Sequence, residues 1–481
     1  MESPVRTTQQ VPTQKWLVLI LVCLGNFVAT LDTGIINLSF PVLTRVFNTD
    51  PNTVLWVSVA YFLTVSGLMQ VFGKLADTFD SKKVYIWGFI LFTVGLIFCA
   101  VAQSISQLIL FRVVQGVGIA MIFAVGNAIL TYAFPDEERG KAMGIASGVV
   151  GAGLFFGPAL GGIMLDALGW QSIFYLRIPV GLAGIVMSLL VLKSQKLPRT
   201  GKRFDFPGAA LQFIALGSLL LAINRGGILG WSSVTIVGLF FTCAAMLGLF
   251  VLVERRTANP VVNLALFRSR HFTAANMGNM LRFMAVFANN FLTPFYLLGV
   301  LGFTPTRAGM IFAVVPVMIL FTSPVAGWLS DKIGSRPLCT GGMVCISVGL
   351  FFLSRLQPDS TVAHIIPILA LMGLGSGLFE SPNHNAVMGA VPRSYLGAAS
   401  ATIATFRSMG QSIGLAIAGI VFVSRQAYYA AVFAGQGMDP QLAAGQAYHR
   451  GIVDGFLVAT VIALAGLAAS LLMEGKRQRG H

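Results

Sequence analysis

Long apolar runs recur along the whole chain and constrain its fold more than any other feature. A helix needs about 20 mostly apolar residues to cross the hydrocarbon core of a bilayer, and the 481 residues contain fourteen such runs. Only 10% of the residues are charged, whereas a soluble domain has about 25%. The sequence therefore predicts an all-α membrane protein with fourteen transmembrane helices and excludes a soluble enzyme. The predicted spans lie near 16–39, 54–75, 84–103, 108–132, 141–165, 172–192, 207–225, 233–253, 273–299, 306–330, 337–356, 364–389, 397–424 and 451–473.

Lysine and arginine are unevenly divided between the two sides of the predicted membrane. Basic residues accumulate on the cytoplasmic side of membrane proteins. If the N-terminus is cytoplasmic, 22 of the 32 basic residues fall in cytoplasmic segments and six in outer segments. The formal charge of +15 is then a signal of topology, and it does not indicate a nucleic-acid partner. Because the number of spans is even, both termini are predicted to be cytoplasmic.

Two parts of the chain resemble each other at a nearly constant spacing. The loop sequence that ends at Asp77 recurs in a segment that ends at Asp331. Six positions from Gly140 to Ile163, at and within the fifth predicted span, recur 257 residues later in the thirteenth. The matching spans are eight apart, which indicates two parallel six-helix halves with two helices inserted between them. Duplicated halves are typical of secondary transporters. The predicted organisation is an N-terminal six-helix bundle (1–198), two inserted linking helices (199–260) and a C-terminal six-helix bundle (261–481).

Four motifs follow one another along the N-terminal half. They are Leu31-Asp32-Thr33 with Asn37 and Pro41 in the first span, Gly73-Lys74-Leu75-Ala76-Asp77 with Lys82 and Lys83 after the second, Arg112 with Gln115-Gly116-Val117-Gly118 in the fourth, and Gly153 with Gly157-Pro158-Ala159-Leu160-Gly161-Gly162 in the fifth. With these motifs the chain resembles, over nearly its whole length, the major facilitator superfamily. Within that superfamily it resembles the fourteen-span drug/proton antiporters.

The resemblance implies the major facilitator fold and a multidrug-efflux function. A chain of this kind exports small lipophilic molecules by alternating access and is driven by the proton gradient, without a cofactor. The expected setting is the bacterial cytoplasmic (inner) membrane, where the chain's partners are the lipid bilayer, protons and the substrate. We expect a monomer, and a periplasmic adaptor protein is left open as a partner. The five cysteines form no CxxC pair, so no metal site is expected.

Two other functions are compatible with parts of the sequence. A dedicated exporter of a single metabolite, siderophore or lipid would have the same fold and the same motifs. A membrane sensor that has lost transport is a more remote alternative, because we expect such a protein to lose its intramembrane charges. This chain keeps them, with Asp32 and Glu380 as the two deepest acids.

Charged residues inside the predicted spans are candidates for proton coupling, because a charge in lipid persists only with a partner or a role. The helical rise places Arg112 at a depth similar to that of Asp32, which predicts a pair. Arg282 and Arg407 lie at a depth similar to that of Glu380. We therefore expect Asp32, Glu380, Arg112, Arg282 and Arg407 to form the coupling machinery, with static ion pairs as the alternative.

Polar residues aligned along the helices predict a substrate cavity. The ninth span has a stripe of polar residues that includes Asn276, Asn279 and Asn290. This stripe either lines the cavity or packs on another helix. Arg177 stands where the fourteen-span antiporters usually have asparagine, and Pro382 predicts a break in the twelfth span. The predicted cavity residues are Asn26, Thr30, Thr33, Asn37, Gln115, Arg177, Asn276, Asn279, Asn290 and Asn383.

The glycine-rich and loop motifs are predicted to be mechanical. Four glycines of the fifth span allow close contact with another helix, and Pro158 allows that span to bend. The resemblance implies that Asp77 helps to hold the cytoplasmic side shut, whereas ordinary helix capping is the alternative. Residues 425–450 are predicted to form a long outer loop. The predicted gating and structural residues are Gly73, Asp77, Lys82, Lys83, Gly153, Gly157, Pro158, Gly161, Gly162 and Asp331.

Overall fold

Helices make up most of the computed structural model, which describes residues 12–78, 80–193, 205–257, 264–392 and 395–473. These residues form helices, turns and loops and contain no β-strand. An apolar segment in lipid must satisfy its backbone hydrogen bonds within itself, and a helix does so. The all-α fold class predicted from the sequence is confirmed.

The described chain forms eight helices up to residue 191. Polar caps fix where several of them begin. For example, the Asp80 carboxylate accepts a hydrogen bond from the Lys82 amide at 3.0 Å, and this cap satisfies one of the amides left free at a helix start. The eight helices are α1 (Pro12–Val46), α2 (Pro51–Val54), α3 (Trp56–Thr78), α4 (Ser81–Ala100), α5 (Ile105–Ala133), α6 (Asp136–Leu168), α7 (Ser172–Tyr175) and α8 (Ile178–Val191).

Two long helices follow, α9 (Phe206–Leu229) and α10 (Val234–Arg256). Helix α9 packs on α3 and, further along the chain, on a helix that begins at Leu396. Helix α10 packs mainly on α9, and most of its apolar side chains are exposed, as expected of a helix that faces lipid. The predicted boundaries of this inserted pair, near 198 and 260, fall outside the described residues.

The C-terminal half repeats the helix pairing of the N-terminal half. Helix α1 packs mainly on α6, and α4 on α5; eight spans later α11 packs mainly on α16, and α14 on α15. This spacing agrees with that of the sequence repeat. The helices are α11 (Arg270–Pro294), α12 (Pro305–Phe312), α13 (Val314–Ile333), α14 (Ser335–Leu353), α15 (Val362–Gly389), α16 (Leu396–Gly435) and α17 (Pro440–Leu471), with a 3₁₀ turn at Leu264–Arg268 and a π-helical turn at Phe295–Val300.

Fourteen helical stretches of the described chain are long and apolar enough to cross a membrane. This is the number predicted from the sequence. The sixth span consists of α7 and α8, and the tenth consists of α12 and α13. Helix α15 continues through Pro382 to Gly389, so the break predicted there is absent.

The predicted outer loop at 425–450 is wrong. Helix α16 continues to Gly435 and α17 begins at Pro440, so that the connection is only residues 436–439. The 40 residues of α16 span about 60 Å at a rise of about 1.5 Å per residue, which is twice the thickness of the hydrocarbon core. Arg425 forms an ion pair with Asp454 and ties the two extended helix ends together.

Candidate transport site

A buried ion cluster surrounds Asp32 of α1, whose side chain is 0% exposed. Arg112 of α5 approaches it with Nη1 at 2.9 Å from Oδ1 and Nη2 at 2.8 Å from Oδ2. The Gln115 amide donates to the same carboxylate at 3.1 Å. Arg112 also donates to the Val57 carbonyl at 3.0 Å, and its guanidinium lies 4.2 Å from the centroid of the Tyr61 ring. The pair predicted from similar depths is therefore present.

Arg177 adds a second cation to this cluster. It lies where α7 ends and α8 begins, and its guanidinium forms an ion pair with Asp32 and donates to the Ile173 carbonyl at 2.7 Å. Arg177 is 1% exposed and Gln115 is 0% exposed. Both side chains are enclosed within the N-terminal half in this conformation, and their role in a substrate cavity stays a prediction.

A second charged group lies in the C-terminal half, on α15. Glu380 forms an ion pair with Arg282 of α11 at 3.1 Å, but the two partners differ in exposure, with Glu380 42% and Arg282 3% exposed. The guanidinium carbons of Arg282 and Arg407 lie 4.5 Å and 5.0 Å from the centroid of the Phe283 ring. The three charged residues predicted to lie together are therefore close neighbours.

Glu380 lies on the wall of a cavity of about 450 Å³ between α6 and α13. Gly144 and Gly148 of α6 form one wall, and Pro316 and Ser323 of α13 lie on the other. These α6 positions are about 12–18 Å from the start of the helix at Asp136, so the cavity lies in the predicted cytoplasmic half. Glu380 is the only charged residue among the described residues that line it.

Sequence reasoning did not find this cavity, and none of the ten predicted cavity residues lines it. Two of them hydrogen-bond to backbone carbonyls instead, Thr30 within its own helix and Asn279 across to a neighbouring helix. The Thr30 hydroxyl donates to the Asn26 carbonyl at 2.8 Å, and the Asn279 amide donates from α11 to the Ile403 carbonyl of α16 at 3.5 Å. Asn37, Asn276 and Asn383 are buried, whereas Asn26, Thr33 and Asn290 are half-buried. The cavity between α6 and α13 is lined mainly by glycine, proline and aliphatic residues, which form no polar pattern in the sequence from which a cavity could be predicted.

The glycine motif of α6 brings this helix against α1, as predicted. A Cβ atom at Gly157 would lie 3.0 Å from the Cα of Gly34, and one at Gly161 would lie 3.0 Å from the Cα of Ile35. At Gly153 it would lie 2.9 Å from the Phe27 carbonyl oxygen. Helix α6 is continuous through Pro158, and bending at that residue stays a prediction.

Gly162 extends the same motif to the other half of the molecule. A Cβ atom there would lie 3.0 Å from the Pro305 carbonyl carbon and 3.1 Å from the Thr306 Cα, both in α12. Thr306 also donates a hydrogen bond to the Asp166 carboxylate at 2.7 Å. These contacts close the predicted outer side, while the α6–α13 cavity lies in the cytoplasmic half.

Leucine at Gly162 should therefore open the outer side. Its side chain would overlap backbone atoms of α12, and overpacking costs about 1–3 kcal/mol, which is roughly a fivefold to 150-fold shift between two conformations. Distances between spin labels on α1 and α12 should lengthen. Gly238→Leu is the matched control, because no atom lies within 4 Å of a Cβ at Gly238. Unchanged distances in Gly162→Leu would contradict the outer seal.

The loop motifs are only partly described. Gly73 lies near the end of α3, and the Lys82 ammonium donates to the Leu189 carbonyl at 2.8 Å. Lys83 is exposed, as is Asp331 in the last turn of α13. The Asp77 side chain lies outside the described part of the structure, so the cytoplasmic latch stays a prediction.

Two helical halves around a cavity between them define a membrane transporter. The model of the Major Facilitator Superfamily matches residues 22–415, and the chain belongs to that superfamily. It is therefore an integral membrane transporter rather than an enzyme.

Named relatives and a solved structure agree with this family. The chain is 35% identical to the riboflavin transporter RibZ of Clostridioides difficile, over 86% of this chain and 90% of RibZ. It is 33% identical to the multidrug resistance protein Stp of Mycobacterium tuberculosis, over 85% and 76% of the two chains. A bacterial homologue of the human lysosomal transporter Spinster, in an inward-facing and unoccupied conformation, matches with a TM-score of 0.70 at 16% identity, over 96% and 98% of the chains. This last likeness shows the fold.

Proposed function

We propose that the protein is a proton-coupled exporter of lipophilic small molecules, of the multidrug-efflux type, in a bacterial cytoplasmic membrane. The observation that carries this proposal is Glu380, a carboxylate that is 42% exposed, paired with Arg282 and placed on the wall of a cavity toward the cytoplasm. An intramembrane acid on a transport cavity is the usual site of a proton relay. The proton gradient is the only energy source in this proposal, and the working unit is a monomer.

Glu380 is a better proton carrier than Asp32 in this conformation because water can reach it. Asp32 is 0% exposed and is held by two guanidinium groups. When Glu380 releases its proton to the cytoplasmic water, Arg282 at 3.1 Å neutralises the new charge. A proton taken up from the outside in the opposite conformation would separate this pair again, which couples the proton to the movement of the two halves.

The cavity supports a lipophilic substrate. Its volume of about 450 Å³ lies within the range of about 300–1,000 Å³ that is typical of small-molecule sites. Apart from Glu380 and Ser323, the described residues that line it are apolar or glycine. The multidrug resistance protein Stp among the relatives is consistent with this substrate class.

A dedicated transporter of one metabolite is the second candidate, and the relative named as a riboflavin transporter, at 35% identity, favours it. A survey of binding to the purified protein separates the two. A dedicated transporter should bind one ligand far more tightly than all others, and riboflavin belongs in the survey. A multidrug exporter should bind several unrelated lipophilic compounds with similar affinities.

Flux in proteoliposomes tests the coupling. With the cytoplasmic face outward, a lipophilic fluorescent substrate should accumulate in the lumen when the lumen is acidic, because protons then leave the lumen as the substrate enters it. Accumulation should stop when a protonophore collapses the gradient. Equal accumulation with and without the gradient would exclude proton coupling.

A further inference from the structure

A second cavity lies on the predicted outer side, beneath the extended ends of α16 and α17. Its volume is about 710 Å³. Arg45 and Pro51 form its wall in the N-terminal half, and Phe295 and Tyr448 lie on its wall in the C-terminal half. It shares no lining residue with the cavity at Glu380, so it is a separate compartment at the other end of the molecule.

The lining of this outer cavity combines an aromatic wall with hydrogen-bond donors. The Tyr448 ring lies against the backbone of Gly299, where a Cβ atom would be 2.7 Å from its Cε1. The ring also makes an edge contact with Phe422, with centroids 5.2 Å apart. Gln426, Gln441 and Gln446, whose side chains carry amide donors, line the same space.

Arg45 carries the only permanent charge among the described residues that line the cavity. Its guanidinium makes one long hydrogen bond, at 3.4 Å to the Leu298 carbonyl, which leaves most of its donors directed to solvent or a ligand. The neighbouring acid Asp50 already accepts from the Thr53 amide at 2.9 Å and from the Thr53 hydroxyl at 2.6 Å. Asp50 keeps its negative charge but does not line the cavity, so the charge on the cavity wall is that of Arg45 and favours an anion.

We propose that this outer cavity binds an amphiphilic organic anion of drug size, and that the bound anion holds the transporter closed on the outside. An arginine donates strong, charge-assisted hydrogen bonds to a carboxylate or sulfonate, and the aromatic wall accommodates the apolar part. Because the walls come from both halves, a ligand that contacts both binds best to the outside-closed conformation. It then shifts the population toward that conformation. The proposal does not depend on proton coupling or on the identity of the exported substrate.

Binding to the purified full-length protein tests the site. The probes are naphthalene-2-sulfonate and the matched cation 2-naphthyltrimethylammonium, measured by equilibrium dialysis. The sulfonate should bind and the cation should bind at least about tenfold more weakly. Arg45→Gln should weaken binding of the sulfonate by a similar factor. Arg307→Gln, an exposed outer arginine over Phe303, is the control that should bind like the parent.

Two glycine variants locate the site independently of charge. Gly445 lines the outer cavity and no atom lies within 4 Å of a Cβ there, so Gly445→Leu fills the cavity without a clash and should abolish binding. Gly148→Leu fills the cytoplasmic cavity and should leave binding of the sulfonate unaltered. The outer site would be overturned if Gly148→Leu lost binding of the sulfonate while Gly445→Leu kept it. Equal binding by the parent and Arg45→Gln would also overturn it.

The conformational part of the proposal has its own readout. Since linkage is reciprocal, a variant that opens the outer side must bind the sulfonate more weakly. Spin-label distances across the outer ends identify such a variant, with Gly162→Leu as the first choice. If the distances lengthen while the affinity stays the same, the anion does not hold the outer side closed.

Discussion

Replacing Asp32 with asparagine should destabilise the protein by about 3–5 kcal/mol, the usual loss when one partner of a buried ion pair is removed. The substitution leaves two guanidinium groups without their counter-ion, because Arg112 and Arg177 are both buried and both pair with Asp32. The measurement is the temperature at which the purified protein loses its monodisperse peak on size-exclusion chromatography.

Two variants separate the buried cluster from a general effect of losing a carboxylate. Asp454→Asn removes an acid whose partner Arg425 is 42% exposed, and exposed pairs contribute only about 0–1 kcal/mol. This variant should melt near the parent. Adding Arg177→Asn to Asp32→Asn removes one of the unpaired cations and should recover part of the loss. An Asp32→Asn protein that melts like the parent would contradict the structural role of Asp32.

Most of the fold could be predicted because lipid imposes a simple rule on composition. The apolar runs gave the number of spans, and lysine and arginine gave a predicted orientation. The rule fails where a helix leaves the bilayer. Beyond residue 424 the chain contains Arg425, Gln426 and Tyr428, which end the apolar run but not the helix, so the ends of α16 and α17 were predicted as a loop.

Contacts in the candidate site could be predicted only where the depth of two residues along their helices was enough to place them together. Asp32 and Arg112 have similar depths, and they pair. Arg177 is different, because its contact with Asp32 depends on how α8 packs beside α1 and on the break between α7 and α8. Helical periodicity does not encode either feature. A polar stripe also forms where side chains hydrogen-bond to backbone, as Thr30 does within α1 and Asn279 does across to α16.

The largest functional effect is expected for Glu380→Gln. Glutamine keeps the size of the side chain and one acceptor oxygen, but it has no charge to pair with Arg282 and no titratable proton. In a weakly buffered detergent solution, addition of a lipophilic substrate to the parent should release protons, which a pH indicator records. Glu380→Gln should release none, and in proteoliposomes it should move substrate only down its own gradient.

The controls for Glu380 come from the same chain. Glu138 has nearly the same exposure, 43%, and pairs with one cation, Lys15, but it does not line the α6–α13 cavity. Glu138→Gln should release protons like the parent.

His384 lies one turn beyond Glu380 on α15, is exposed and interacts electrostatically with it. It is therefore the other titratable group to replace, as His384→Gln. Proton release that survives in Glu380→Gln but is lost in His384→Gln would transfer the carrier role to the histidine. A third outcome is proton release that survives in both of these variants and is lost in a folded Asp32→Asn/Arg177→Asn protein. That result would assign the carrier role to the buried cluster of the N-terminal half.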